Sequence, residues 1–213
     1  MIATWEQFLP YMAVQLADCP DIVIFDALRK SAFKYCYESY CWQQDNDPIG
    51  VRAGLFEYDL DYPNGTIVAH LMSVKFKGIP LYPKSAEQLD LLIPSWHEAE
   101  ATPLYYHRLT DSTIRLVPMP STTESAVLET KVVLAPSASD GTGVDTDVFN
   151  RYATAISQGA MALLMIMPGR KWTNPQLSQL YEQQYQIEMS RTRGLMLSAN
   201  SSAPLKVRGR KFA

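Results

Sequence analysis

The sequence predicts an α+β fold: a helical bundle formed by the N- and C-terminal helices, with an antiparallel β barrel or sandwich inserted between them. Apolar residues recur at three- and four-residue steps near both ends of the chain, whereas alternating and β-branched residues dominate the middle. The last residues are polar and basic, which is typical of an extended C-terminal arm. We therefore assign residues 1–48 and 145–197 to the bundle, 49–136 to the β domain and 198–213 to the arm.

The N-terminal part of the bundle is predicted to begin with a helical turn at residues 4–8, capped by Thr4. A second helical piece is predicted for residues 10–16, because a proline suits the first position of a helix. Apolar residues at helical spacing then predict a longer helix over residues 20–40. The polar residues 43–48 are predicted to form an irregular segment between the helical part and the β domain.

The β domain is predicted from runs of alternating, β-branched and aromatic residues that are separated by short turns. Strands of this kind, joined by short turns, pair in an antiparallel sheet. One short helix capped by Ser85 interrupts them and ends near Leu92. Small and polar residues at 135–144 predict a flexible loop. The predicted strands are 55–60, 66–76, 79–82, 104–109, 113–117 and 126–134.

The central helix of the bundle is predicted over residues 145–167, with Asp145 or Thr146 as its N-cap. Its second half, residues 159–167, has no charged side chain, so we expect it to be buried on all sides. That half is too short to span a bilayer, which takes about 20 residues. Asn174 caps the last helix, and the short connection predicts an antiparallel pair of helices.

The composition limits the class of protein. With 47% hydrophobic and 19% charged residues among 213, the chain can bury a core. Its formal charge of −3 argues against general binding to nucleic acid or to anionic membranes. No signal peptide or membrane span is expected. Cys19, Cys36 and Cys41 lack metal-site spacing, so we interpret them as core thiols of a protein made in a reducing cytoplasm.

Motifs for catalysis, metals and cofactors are absent from the sequence. His70, His97 and His107 do not have the HExxH spacing of a zinc enzyme, and no Walker A or GxGxxG motif occurs. Asp59 and Asp61 are two residues apart on a predicted strand, so they share a face that could support acid–base chemistry. A solvated strand face explains them more simply. We therefore predict no catalytic site, no cofactor and no metal.

The C-terminal arm is distinctive because no acidic residue follows Glu188. Basic and apolar residues alternate in it, which favours a segment that docks on a partner over a merely solubilising tail. Both interpretations remain open from composition alone. The predicted partner-binding residues are Leu205, Lys206, Val207, Arg208, Arg210, Lys211 and Phe212.

Local strings along nearly the whole chain carry a resemblance to a known family. They are Trp5 to Pro10, Cys19-Pro20, Leu28-Arg29, Ala32-Phe33, Tyr40-Cys41-Trp42, Gly78-Ile79-Pro80-Leu81, Trp96, Ile114 to Pro118, Gly159 to Leu163, Pro168, Trp172 and Asn174 to Tyr181. In this order they resemble the head-to-tail adaptor proteins of tailed bacteriophages, the neck or head-completion family that joins portal to tail.

The resemblance implies a structural protein and not an enzyme. It implies a homo-oligomeric ring, commonly a dodecamer that matches the portal, which extends the DNA channel without sequence-specific DNA binding. The partners implied are the portal protein, which the C-terminal arm grips, and a tail or nozzle protein, with no membrane. The implied location is the virion neck, after assembly in the host cytoplasm.

The acidic body of the chain agrees with a DNA channel, because a basic wall would hold phosphates. We therefore expect Asp59, Asp61, Glu98 and Glu100 to line the channel or its rim. Two alternatives stay open. One is a tail-tube or tail-terminator component, and the other is a phage-associated wall hydrolase that uses Asp59, Asp61 or His97.

Overall fold

The computed structural model describes residues 1–198, in which helices and strands are mixed. The predicted α+β class is therefore confirmed. A 3-10 helix spans Trp5–Tyr11 near the N-terminus. The α-helices of the described residues are α1 (Asp21–Ser39), α2 (Ala86–Leu92), α3 (Thr146–Met165) and α4 (Pro175–Leu197).

The strands form two larger sheets and two isolated strand pairs. They are β1 (Ile2–Thr4), β2 (Gln43–Asp45), β3 (Ile49–Val51), β4 (Glu57–Asp59), β5 (Thr66–Phe76), β6 (Ile79–Pro80), β7 (Tyr82–Pro83), β8 (Glu100–Ala101), β9 (Tyr105–Arg108), β10 (Thr113–Val117), β11 (Met119–Pro120), β12 (Glu124–Pro136) and β13 (Gly143–Asp145). One sheet has the order β2-β12-β5-β6, with β3 also on β12, and the other has the order β4-β10-β9-β7. Strands β1 and β13 form one pair, and β8 and β11 form the other.

Strand β12 organises the larger sheet. It pairs antiparallel with β5 from Leu128, opposite Phe76, to Pro136, opposite Thr66. The register shifts twice along this ladder, and such bulges bend a strand and increase its twist. The result is a curled, half-barrel sheet. Its strand β12 contacts α1, and Val132 and Leu134 are fully buried there.

The three long helices pack on one another, with α3 in contact with both α1 and α4. Ser31 of α1 donates a hydrogen bond from Oγ to the Ile156 carbonyl of α3, at 2.7 Å. Ser178 of α4 donates to the Ala162 carbonyl at the same distance. At Gly159 the helices come so close that an added Cβ would lie 2.6 Å from the Tyr185 ring. Helices without a side chain between them can approach each other closely.

The predicted helix boundaries are largely correct because local capping chemistry sets them. The Asp145 carboxylate accepts from the Asp147 amide at 2.9 Å, and the Asn174 side chain accepts from the Leu177 amide at 3.1 Å. Ser85 and Gln88 form a reciprocal capping box at α2. Tyr40, in the left-handed conformation with φ of 60°, ends α1.

The N-terminal predictions were partly wrong. Thr4 makes no side-chain cap, because it lies in β1 and pairs with Gly143 of β13. Pro10 lies inside the 3-10 helix and does not begin a helix over 10–16. Residues 12–20 make only separate turns, such as the one closed by the hydrogen bond from the Leu16 amide to the Met12 carbonyl at 3.1 Å.

Two segments predicted to be irregular form strands. Residues 43–48 are predicted to be irregular, yet they contain β2, which pairs with Lys131 to Val133 of β12. Residues 135–144 were expected to be a flexible loop, yet their end forms β13 against β1, and Ser137 is buried. In both places a distant strand offers free hydrogen-bonding groups, and such pairing overrides a weak local preference.

The predictions of a strand over residues 55–60 and of complete burial for residues 159–167 are wrong in part. The predicted strand 55–60 is limited to β4, which pairs with β10 and not with its sequence neighbour β5. Within residues 159–167, Leu163 is 41% exposed and Ile166 is 61% exposed, so this end of α3 is not buried on all sides. The reason is that α3 contacts other elements on part of its circumference and no described residue covers the remainder there.

One continuous hydrophobic core joins the helices and the larger sheet in the described residues. It includes Phe8 of the 3-10 helix, Leu28 of α1, Val132 of β12 and Ile156 of α3, all of them fully buried. A smaller cluster holds Leu89, Trp96 and Val117 together under α2. The division of the chain into a helical part and an inserted β domain stays a prediction.

Candidate functional site

The four acids predicted to line a channel are all exposed. Asp59 lies in β4, where its carboxylate accepts a hydrogen bond from Thr113 Oγ1 at 3.0 Å. Asp61 follows after the end of β4, so the two aspartates do not share one strand face as predicted. Glu98 lies in a turn, where its backbone amide donates to the Ser95 carbonyl at 3.0 Å, and Glu100 lies in β8.

The structure does not bring these acids to one point. Asp59 is opposite Thr113 at the start of β10, whereas Glu100 is opposite Met119, beyond the end of β10. A five-residue strand separates them, which is on the order of 15 Å. At this distance Asp59 and Glu100 contribute to a diffuse negative field and cannot act together as a paired general acid and base.

The surroundings of His97 are aromatic. The His97 ring stacks on Trp96 with 3.7 Å between ring centroids, and its carbonyl accepts from Arg115 at 3.4 Å. The Arg115 guanidinium also lies over Phe56, at 4.0 Å from the ring centroid. Trp96 is 3% exposed and donates to Asp90 Oδ1 at 2.7 Å. These contacts hold β10 and the end of α2 together.

His70 belongs to a stack that joins three elements. Its ring lies 4.5 Å from the rings of both Tyr37 and Tyr40, measured between centroids. The Arg193 guanidinium of α4 lies over the Tyr40 ring, 5.4 Å from its centroid, and Arg193 Nη1 is 3.8 Å from Glu38. The stack therefore connects α1, β5 and the C-terminal end of α4.

Arg108 joins the two larger sheets, a role for which the sequence holds no local signal. From β9, its Nη2 donates to the Val68 carbonyl of β5 at 2.8 Å and to the Asp111 carbonyl at 3.1 Å. Its Nε donates to the Thr110 carbonyl at 3.2 Å. A planar guanidinium with five N–H groups can make several such bonds from one position.

Two buried tyrosines form hydrogen bonds between helices. The Tyr185 hydroxyl donates to the Ser31 carbonyl at 2.8 Å, and the Tyr35 and Thr192 hydroxyls are 2.8 Å apart. Burial raises the pKa of both Tyr35 and Tyr185. Both phenols therefore stay protonated at neutral pH and serve as packing and hydrogen-bonding groups.

Cys36 and Cys41 lie side by side, with their Sγ atoms 3.8 Å apart. Cys36 is fully buried in α1, whereas Cys41 is partly exposed. Cys19 is separate from this pair and buried near the start of α1, and burial raises the pKa of its thiol. The predicted role of Cys19 and Cys36 as core thiols agrees with their burial.

A polar cleft of about 340 Å³ lies where the end of α4 meets the start of α3. Cys41 and Trp42 line one side of it, Asp147 and Arg151 line another, and Met196 lines a third. Helix α4 ends at Leu197, one residue after Met196, and residues 199–213 lie outside the described structure. The predicted partner-binding residues, Leu205 to Phe212, lie outside the described residues.

The charge of the chain is divided unequally. Residues 1–198 hold 15 Lys and Arg and all 22 Asp and Glu, a formal charge of −7, whereas residues 199–213 carry +4. The described body is thus more acidic than the net charge of −3 suggests. Residues 1–198 and residues 199–213 therefore carry opposite net charges.

Residues 1–198 show neither a metal-binding cluster nor a helix that could span a membrane. Within residues 1–198, no group of three or more His, Cys, Asp or Glu side chains is placed to hold a metal ion. Among the helices described, none combines the length and hydropathy needed to cross a membrane.

Comparison with known proteins places the chain in a family. No curated protein matches the chain at a significant level. The model of the SU10 adaptor protein family matches residues 26–208, which cover most of the chain, from α1 into the C-terminal basic segment. This match confirms the resemblance to phage head-to-tail adaptors and indicates a structural protein of a virion. The chain therefore belongs to the SU10 adaptor protein family.

Proposed function

We propose that this protein forms a ring between the portal and the tail of a bacteriophage and continues the DNA channel below the portal. The observation that carries the proposal is the family match across residues 26–208. The ring is a homo-oligomer, a dodecamer if it follows the symmetry of the portal. A tail or nozzle protein binds its other side.

The charge of the body supports a channel role. Residues 1–198 carry a formal charge of −7 per subunit, and a channel wall formed by such an acidic body would repel phosphate, so DNA could slide without being held. Asp59, Asp61, Glu98 and Glu100 are exposed, and the length of β10 separates Asp59 from Glu100, so their negative charge is spread over the surface. In this proposal they face the lumen or its rim.

The C-terminal segment supports portal docking. Residues 199–213 hold four basic residues and no acid, and Leu205, Val207 and Phe212 alternate with them. Such a segment can bind an acidic and partly apolar surface through both charge and side-chain pockets. In this proposal Leu205 to Phe212 contact the portal.

The proposal can be tested with purified protein and the portal of the same phage. We expect the two to co-migrate in size-exclusion chromatography and to form one coaxial ring complex in electron micrographs. We also expect binding to weaken as salt is raised, because the arm is basic. A protein that binds tail proteins but not the portal would indicate a tail-tube or tail-terminator component, and the proposal would be wrong.

Charge reversal tests the channel lining. Changing Asp59, Asp61, Glu98 and Glu100 together to lysine is expected to slow DNA ejection several-fold, because the new cations bind phosphates in passing. Ejection can be followed by the fluorescence of a DNA dye after virions are triggered. The matched control changes the same residues to Asn or Gln, and ejection should then remain close to wild type.

A second control tests whether the effect depends on where the lysines are introduced. Glu6 and Asp21 are exposed acids of the helical part, and their change to lysine should leave ejection unchanged. If the fourfold lysine variant ejects DNA at the wild-type rate in intact particles, the four acids do not line the channel.

A further inference from the structure

The end of α1 holds two thiols in contact. Cys36 lies in the last turns of α1, and its carbonyl accepts a hydrogen bond from the Tyr40 amide at 3.2 Å. Tyr40 has a φ of 60°, so the chain turns back after the helix and returns Cys41 to the side of Cys36. The two Sγ atoms are 3.8 Å apart as a result.

The two thiols differ in access. Cys36 is fully buried, whereas Cys41 is partly exposed and lines the cleft between α3 and α4. That cleft is open and has room for a small peptide-like molecule, with a volume of about 340 Å³. Cys41 is therefore the more accessible of the two thiols to a reagent that enters the cleft.

The two thiols also differ in acidity. Burial opposes ionisation of Cys41, but its hydrogen bonds with Cys36 and Ser39 outweigh burial and lower the pKa of Cys41. The pKa of Cys36 is raised, first by its hydrogen bond to Cys41 and then by burial. Because the thiolate is the nucleophile, Cys41 is the thiol that reacts first.

We propose that Cys36 and Cys41 are a disulfide-forming pair, in which Cys41 is the attacking and Cys36 the resolving thiol toward a low-molecular-weight disulfide such as oxidised glutathione. The sulfurs must move closer by roughly 1.8 Å to reach a disulfide bond length of about 2.05 Å. Side-chain rotation at one of the two cysteines can supply a movement of this size.

The reaction balances without a metal or a further oxidant. The Cys41 thiolate attacks one sulfur of oxidised glutathione, a mixed disulfide forms, and one glutathione thiolate leaves. The Cys36 thiol then loses its proton and attacks the Cys41 sulfur, which releases the second glutathione. The protein loses two electrons and two protons, and the glutathione disulfide is reduced to two thiols.

The bond would fasten the end of α1 to the segment that enters β2. Its use in biology rests on the proposed function: a virion protein is made in a reducing cytoplasm and later leaves the cell for an oxidising medium. The pair would stay reduced during assembly and would close in the released particle. The chemical step itself does not depend on that role.

Mass spectrometry of the purified wild-type chain tests the proposal. Trypsin cuts after Lys34 and Arg52, so one peptide, residues 35–52, contains both cysteines, whereas Cys19 falls in residues 1–29. After the folded protein is treated with oxidised glutathione, unfolded and alkylated, we expect peptide 35–52 to lose two hydrogens and take up no iodoacetamide. Dithiothreitol should restore two alkylation sites in it.

Single variants assign the roles. Cys36→Ser is expected to keep one glutathionyl group on Cys41, because no resolving thiol remains, and Cys41→Ser is expected to gain none in the folded state. Cys19→Ser should behave like the wild type. The proposal is wrong if the treated wild-type peptide still takes up two alkyl groups, or if it retains glutathione without closing the ring. Portal binding, measured with the same purified wild-type chain, tests the proposed function independently of disulfide formation.

Discussion

Replacing Gly159 with alanine is expected to lower the free energy of unfolding by about 2–3 kcal/mol, although alanine is normally the better helix former. The reason is the close packing of three helices at this position. A Cβ at Gly159 would lie 2.6 Å from Tyr185 Cε2 and closer still to Ser31 Oγ. Both distances are well inside van der Waals contact, so α1 or α4 must move.

The neighbours of Gly159 have little freedom to yield. Tyr185 is 1% exposed, and its hydroxyl donates to the Ser31 carbonyl at 2.8 Å. Ser31 Oγ in turn donates to the Ile156 carbonyl at 2.7 Å. A shift of either side chain therefore strains or breaks a buried hydrogen bond as well as the packing.

Gly194 in α4 provides a matched control. It is also a helical glycine, but among residues 1–198 no atom other than its chain neighbours and the nearby backbone of its own helix lies within 4 Å of the position of its Cβ. Gly194→Ala should therefore raise the free energy of unfolding by roughly 0.5–1 kcal/mol, the usual gain for this change in a helix. Urea denaturation of the two variants and the wild type gives both values. A Gly159→Ala protein as stable as the wild type would show that the helices are not packed as described.

The parts of this fold that the sequence could predict are those set by local chemistry. Asp145, Asn174 and Ser85 each cap a helix through an amide two or three residues away, so a short window of sequence holds the whole signal. The same is true of the hairpin between β9 and β10, where the predicted strands and their turn agree with the structure. The absence of charge in residues 159–167 also predicted burial, and at Gly159 itself α3 does pack closely against α1 and α4.

The parts that could not be predicted depend on distant partners. Strand β2 has the sequence of a polar loop and is a strand only because β12 passes beside it. Strand β13 exists because the N-terminus returns to it, with Thr4 opposite Gly143. Arg108 likewise bridges the two sheets through carbonyls almost forty positions earlier in the chain, at Val68 and Ala69. No local pattern marks such contacts.

In the candidate site, too, some features follow from the local sequence and others depend on distant partners. The exposure of Asp59 and Glu100 follows from their residue type, but their separation by the length of β10 depends on pairing. The nearness of Cys36 and Cys41 required the left-handed residue Tyr40, which an isolated sequence does not reveal. Charge was more informative, since the contrast between −7 in residues 1–198 and +4 beyond them is visible in the sequence alone.

Removing residues 199–213 is expected to abolish the formation of normal tailed particles. The described residues already form a continuous core, so we expect the truncated chain to fold and its melting temperature to stay near that of the wild type. The truncation removes all four basic residues that follow Arg193 and the apolar residues between them. Heads assembled with it should package DNA and then leak it or fail to gain tails. Electron microscopy and DNA content of particles from a complemented deletion phage measure the result.

Two substitution variants separate docking from a merely solubilising tail. Changing Leu205, Val207 and Phe212 to serine keeps every charge, so a solubilising tail should still work, whereas a docking segment loses its apolar contacts. Changing the four basic residues, Lys206, Arg208, Arg210 and Lys211, to glutamine removes the charge but keeps the apolar residues, and portal binding should become weaker and less dependent on salt. Docking requires that the serine variant fail to give tailed particles. If both that variant and the truncated chain yield normal tailed particles, the segment does not dock, and attachment to the portal must come from residues 1–198.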